Sequence, residues 1–133
     1  MSAFVLHRHS EDLVVGQIAR GIDLDGHLGG PIHGVLETAA GKTVIASAHH
    51  RDEFGANAAV EGPFRVFEVQ GPLDVSLTGV LASILNPLAE AGISVFTLST
   101  FDTDWILVPS ASRDVASATL QSAGHTVVAK ETS

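Results

Sequence analysis

The chain has 133 residues, of which 45% are hydrophobic and 17% charged, with no cysteine and a formal charge of −8. That length suits one domain or two halves sharing a core. The missing cysteines exclude disulfides and thiolate metal sites, and the seven scattered Lys and Arg leave no basic face for nucleic-acid phosphates. No apolar run approaches the roughly 20 residues of a membrane span. The opening MSAFVLHRHSED lacks the apolar stretch of a signal peptide, so a cytoplasmic location is expected.

In chain order, Phe4 to Leu6 is a short apolar run suited to an edge strand. Leu13 to Ala19 is β-branched, is followed by Gly21, and predicts a strand. Residues 20–31 are rich in Gly and Asp and predict a loop. Ile32–Thr38 and Thr43–Ala48 predict a hairpin around Gly41, and 49–61 a loop or short helix. Arg65–Gln70 alternates, with Val66 and Glu68 on one face and Phe67 and Val69 on the other. From Val80 the apolar residues recur at helical spacing, in the row Val80, Ile84, Leu88 and beside it Leu81, Leu85, Ala89. Ser76 suits the N-cap and Gly92 the C-terminal stop, while Pro87 removes one backbone bond near Ser83. Ile93–Leu98 and Trp105–Val108 predict a second hairpin across a polar turn. Ser112 caps a second helix, which carries Val115, Ala118, Thr119 and Ser122 on one face, with Ala116, Leu120 and Ala123 beside them. Gly124 ends that helix, His125 suits its negative end, and Thr126–Ala129 returns as a strand.

The order strand, helix, strand, strand, helix, strand over 62–128 is the ferredoxin-like βαββαβ unit of an α/β (α+β) protein with antiparallel sheets. The first half shows a similar order without a convincing first helix. The expected division is therefore a divergent half at 1–61 and a second unit at 62–133.

The turn Gly71–Gly79 is the most suggestive chemistry. Gly79 lets a ligand approach the backbone, and the N–H groups near Leu77, Thr78 and Gly79 sit at a helix N-terminus, where they suit a carboxylate. The same residues also suit a plain strand-to-helix turn. Asp74 can hold an ammonium group or cap the helix. Asp102 and Asp104 can select a basic group or stand solvated in their turn, and Ser99 and Thr100 can donate to a ligand. His7 and His9 share a strand face, but no further ligand completes a metal site. There is no Gly-x-Ser-x-Gly elbow, Walker loop or dinucleotide fingerprint.

Three ordered blocks carry a family resemblance: GPLDVSLTG at 71–79, NPLAEAGI at 86–93, and STFDTD at 99–104 followed by Leu107 and Val108. The chain resembles the ACT-domain family, in particular small tandem ACT proteins, and is similar to CASTOR-type arginine sensors and the regulatory domains of aspartate kinases. The resemblance implies two ACT-like halves and a ligand held between ACT units against the loop 71–79. By motif position it implies that Asp104 meets a ligand's basic end. The implied ligand-binding residues are Asp74, Ser76, Leu77, Thr78, Gly79, Ser99, Thr100, Phe101 and Asp104.

The expected function is that of an amino-acid-binding regulatory or sensor protein with no catalytic residues, metal or cofactor of its own. It is expected to act as a homodimer on a regulated partner protein. Two other readings remain: a small hydrolase or isomerase using Asp102, Asp104 and a histidine, and a purely structural dimerisation module.

Overall fold

A computed structural model describes residues 3–19, 21, 28–73 and 79–130. Among these residues there are eight strands: β1 (Val5–His9), β2 (Leu13–Ile18), β3 (Gly34–Thr38), β4 (Gly41–Ser47), β5 (Ala59–Val69), β6 (Phe96–Ser99), β7 (Asp104–Pro109) and β8 (Thr126–Lys130). The two α-helices are α1 (Val80–Glu90) and α2 (Arg113–Ser122), and a 3-10 helix covers Ala48–Phe54.

The strands form one mixed sheet in the order β3-β4-β2-β5-β1-β8, with β7 and then β6 on the other edge of β5. β5 is 11 residues long, whereas the sequence predicts only its second part, from Arg65. Gly62 and Pro63 hid the rest, since both weaken a strand. They are tolerated because this stretch pairs only with β2, opposite the register shift between Leu13 and Val15. The expected boundary at 61/62 falls inside β5.

β1 and β2 lie end to end along one edge of β5: Leu6 faces Val69, Leu13 faces Phe64 and Gln17 faces Ala59. β7 occupies the opposite edge. β2, β3, β4 and the first part of β5 therefore form one four-stranded unit. The second part of β5 with α1, β6, β7, α2 and β8 forms the βαββαβ unit.

The edge-strand expectation for the N-terminus needs correction. β1 is interior, antiparallel to β5 and parallel to β8. Each of its polar residues has a partner there. Arg8 Nη1 donates to Ser117 Oγ at 2.9 Å and Asp114 Oδ1 at 3.2 Å, on the helix side. On the other side, His9 Nε2 lies 2.8 Å from Glu68 Oε1, and the ring stacks on Trp105.

Three apolar clusters hold the layers. Leu6, Phe67, Val69, Ile106 and Val108 meet Ile84, Leu88, Ala116 and Leu120 beneath the helices. Val14, Val44, Ala46 and Leu28 pack around Phe54, and Leu13, Val15, Ile45, Val66 and Leu107 form a stripe on the opposite face. In α2 the row of Ala116 and Leu120 is the buried one. Val115, on the neighbouring row, is 57% exposed.

Both helices end as their glycines predict. Gly92 and Gly124 take positive φ, and the Ile93 and His125 N–H groups reach back to the carbonyls of Leu88 and Leu120 at 2.9 and 3.0 Å. Ile93 is thereby committed to the helix stop, so β6 begins only at Phe96. His125 does not stand in solvent at the helix end. It is buried, accepts from the Phe4 N–H at Nδ1 (3.0 Å) and donates from Nε2 to the Ser83 carbonyl (2.9 Å). That carbonyl is the one Pro87 leaves without a helical donor.

At the junction of the units, Asp12 Oδ1 accepts from Arg65 Nε and Ser110 Oγ, both at 2.7 Å. Burial pushes the Asp12 carboxyl up, but the bonds from Ser110 and Arg65 and the charges of Arg65 and Arg113 together outweigh it and hold it below its ordinary value. A depressed carboxyl stabilises the fold above its unfolded-chain pKa, and that contribution is lost as pH falls through the folded one. The stability gap between the wild type and Asp12→Asn should therefore be full near neutrality and close as pH drops below about 4, measured by urea denaturation across pH.

Gly16 in β2 lies under the Phe54 ring, and a Cβ there would sit 2.3 Å from Phe54 Cδ2. Gly16→Ala should therefore cost roughly 1–3 kcal/mol of unfolding free energy, the usual range for overpacking, as read from denaturant midpoints.

Candidate functional site

α1 starts one residue after Gly79, whose φ of 76° is freely open only to glycine. The N-cap is thus Gly79 and makes no side-chain cap bond, in place of the expected Ser76. Ser76 itself lies outside the described residues, as do Asp74, Leu77 and Thr78. Ser83 N–H bonds the Gly79 carbonyl at 3.0 Å, closing the first turn. The N–H groups of Val80, Leu81 and Ala82 precede that bond and have no intrahelical partner. The helix N-terminal donors therefore sit further along the chain than the sequence suggested.

Opposite this turn stands the β6–β7 turn, and its backbone is pinned from several sides. Thr100 N–H donates to the Thr103 carbonyl at 2.9 Å, and Thr100 Oγ1 accepts from Trp105 Nε1 at 3.1 Å. The buried Thr103 hydroxyl donates to the Val69 carbonyl, and Leu73 N–H donates to the Asp102 carbonyl at 2.8 Å. Ser99 Oγ donates to Asp104 Oδ1 at 2.6 Å. Phe101, at the tip, is 96% exposed.

Between the two turns lies an open cavity of about 490 Å³. Leu73 and Gly79 to Ala82 form one wall, and Thr100 to Asp104 the other. Of the expected site residues, Gly79, Thr100, Phe101 and Asp104 line this cavity, while Ser99 stands behind it and orients Asp104. Sequence reasoning did not include Leu73, Val80, Leu81, Ala82 or Thr103, and it left Asp102 outside the set. Val80 to Ala82 follow directly from Gly79 once that residue is taken as the cap. Leu73 and Thr103 lie inside the blocks 71–79 and 99–104 but were not singled out there, because their roles depend on contacts made across the fold.

The cavity's charged side chains, among the described residues, are Asp102 and Asp104. No histidine lines it, so the hydrolase or isomerase reading finds no such partner for these acids among the described residues. No cluster of three His, Cys, Asp or Glu suited to a metal occurs among the described residues. His7 lies 3.0 Å from Gln70 Oε1, and His9 is engaged with Glu68. No described helix is long and apolar enough to cross a membrane.

Residues 59–122 match the family model of the ACT domain. The chain contains an ACT domain. The matched segment runs from the start of β5 to the end of α2, and so takes in both turns that form the cavity. Among solved structures, the chain is similar to a protein from Agrobacterium tumefaciens at 23% identity and a TM-score of 0.83, covering 98% of this chain and 96% of that one. A Vibrio cholerae protein of unknown function, described as a possible transport protein, aligns at 18% identity and a TM-score of 0.70, over 91% and 90% of the two chains. The regulatory subunit of aspartate kinase from Thermus flavus aligns at 15% identity and a TM-score of 0.61, over 92% and 99%. At these identities the likeness is one of fold. No functionally curated protein matches the sequence.

The close fit of the ACT domain's two turns is testable at Gly71. A Cβ there would lie 2.9 Å from the Asp102 carbonyl oxygen, which also accepts from Leu73. Gly71→Ala should move the β6–β7 turn, cost roughly 1–3 kcal/mol, and shift the amide resonances of Leu73 and Thr103. A variant with wild-type stability and an unchanged spectrum at those amides would show that the turn is not clamped here.

Proposed function

We propose that this protein is a regulatory module that binds a free amino acid in the cavity between α1 and the β6–β7 turn, with no reaction of its own. One observation carries the reading: helix N-terminal N–H donors and two carboxylates stand on opposite walls of one small cavity. A zwitterion has the matching pair of groups. The donors of Val80 to Ala82 suit its carboxylate, while Asp102 and Asp104 suit its ammonium group or a basic side chain. The volume of about 490 Å³ falls in the usual range for small-molecule sites. A nucleotide is disfavoured, because no described cationic side chain lines the walls.

The ACT domain and the regulatory-subunit neighbours support a regulatory, ligand-binding role in general. The amino-acid ligand, the pairing of two ACT-like halves that share β5 in place of the expected division at 61/62, a homodimer, a cytoplasmic location and a regulated partner protein are all part of the proposal. So are the roles of Asp74, Ser76, Leu77 and Thr78, which precede Gly79 in the chain.

A thermal-shift screen of the common L-amino acids tests this reading. A ligand at 100 times its Kd should stabilise the fold by about 2.7 kcal/mol. Asp104→Asn keeps a side-chain oxygen for Ser99 but loses the negative charge, so it should weaken basic amino acids more than neutral ones. If no amino acid raises the melting temperature, the proposed ligand class is wrong. If one does and Asp104→Asn leaves every affinity unchanged, the ligand sits elsewhere.

A further inference from the structure

Besides its apolar packing through Ile84 and Leu88, the cavity wall formed by α1 is hydrogen-bonded to the start of β1 through one buried imidazole. Pro87 has no N–H, so the Ser83 carbonyl lacks its helical donor. His125 Nε2 supplies a donor at 2.9 Å, while Nδ1 accepts from the Phe4 N–H at 3.0 Å. These two bonds require the neutral ring with its proton on Nε2, because a proton on Nδ1 would meet the Phe4 N–H head-on. The ring also stacks on Phe4 at 5.9 Å between centroids, and the Phe4 carbonyl accepts from Thr126 N–H at 2.9 Å. On the helix side, Ser83 closes the first turn through its N–H to Gly79, and its hydroxyl bonds the Val80 carbonyl at 2.8 Å. Ser83 is thus held to the cavity-lining residues on one side and, through His125, to the start of β1 on the other.

The geometry points to His125 as a positioning residue for the cavity, fixing how far the first turn of α1 stands from β1. Its hydrogen bonds go to Phe4 and Ser83, neither of which lines the cavity, and it acts through Ser83. This inference rests on the reading of the cavity as a ligand site, and it adds a route by which occupancy there is coupled to the N-terminal strand.

Pro87 makes the idea separable from plain stability. His125→Phe keeps a ring against Phe4 but leaves the Phe4 N–H and the Ser83 carbonyl without a partner. Adding Pro87→Ala returns a helical N–H donor to Ser83, yet leaves the tie to β1 cut. The double variant should therefore regain much of the melting temperature lost by His125→Phe. The amide resonances of Gly79 to Ala82 should nevertheless stay displaced, and the affinity for the amino acids that bind the wild type should stay weaker by on the order of tenfold, in line with residues that modulate a site without touching it. Pro87→Ala alone, with the His125 tie intact, should bind as the wild type does.

Resonances that return with stability, or that His125→Phe never moves, would overturn the inference. Displaced resonances with unchanged affinity would overturn it too. If the wild type binds none of the amino acids, the proposed function fails, and the resonances of Gly79 to Ala82 still decide whether His125 sets the wall. Should His125→Phe not fold alone, the double variant supplies the same comparison.

Discussion

The fold depends on the pairing of β5 along its whole length. Its first part pairs with β2, and its second part lies between β1 and β7. Its side chains enter all three apolar clusters: Val60 beside Phe54, Phe64 and Val66 in the stripe, and Phe67 and Val69 beneath the helices. A strand shared in this way makes the two units one mechanical body. The alternation of β5 sends Phe67 and Val69 to the helices and Val66 to the other face, and a one-residue slip would invert that assignment. The register is therefore fixed by burial on both faces.

The same register places the cavity. Val69 receives the Thr103 hydroxyl, and the segment just after it supplies Gly71 and Leu73, which meet Asp102. The β6–β7 turn is thus anchored to the end of β5, and α1 begins a few residues later in the chain. Two turns far apart in sequence meet because both are attached to one strand end. Such a site can be open to solvent and still have firm walls, since its hydrogen bonds are made behind the lining surface.

Buried polar groups are handled by the same economy of local partners. Among the described residues, no buried side-chain nitrogen or oxygen lacks a hydrogen-bond partner. His9, Thr103, Ser117 and His125 each join two elements, which makes them cross-links between layers as well as satisfied groups. An unpaired group of this kind would cost more than the bond contributes, so these positions resist exchange for similar polar residues.

The sequence by itself determined the βαββαβ order, both helix stops at Gly92 and Gly124, and the hairpins, because these follow from local rules of periodicity and glycine geometry, while Thr100, Phe101 and Asp104 of the cavity lining were implied by the family resemblance. It also located the weak point that Pro87 makes near Ser83. What only the tertiary structure decided are features that depend on partners distant in the chain. Ala59–Phe64 is strand because β2 pairs with it, despite Gly62 and Pro63. β1 is interior because Asp114, Ser117 and Glu68 satisfy its polar side chains. His125 completes the bond that Pro87 took from Ser83, and Leu73 and Thr103 line the cavity through contacts across the fold. Local pattern records what a residue prefers, whereas pairing over such separations is settled only when the sheet closes and each buried donor meets its acceptor.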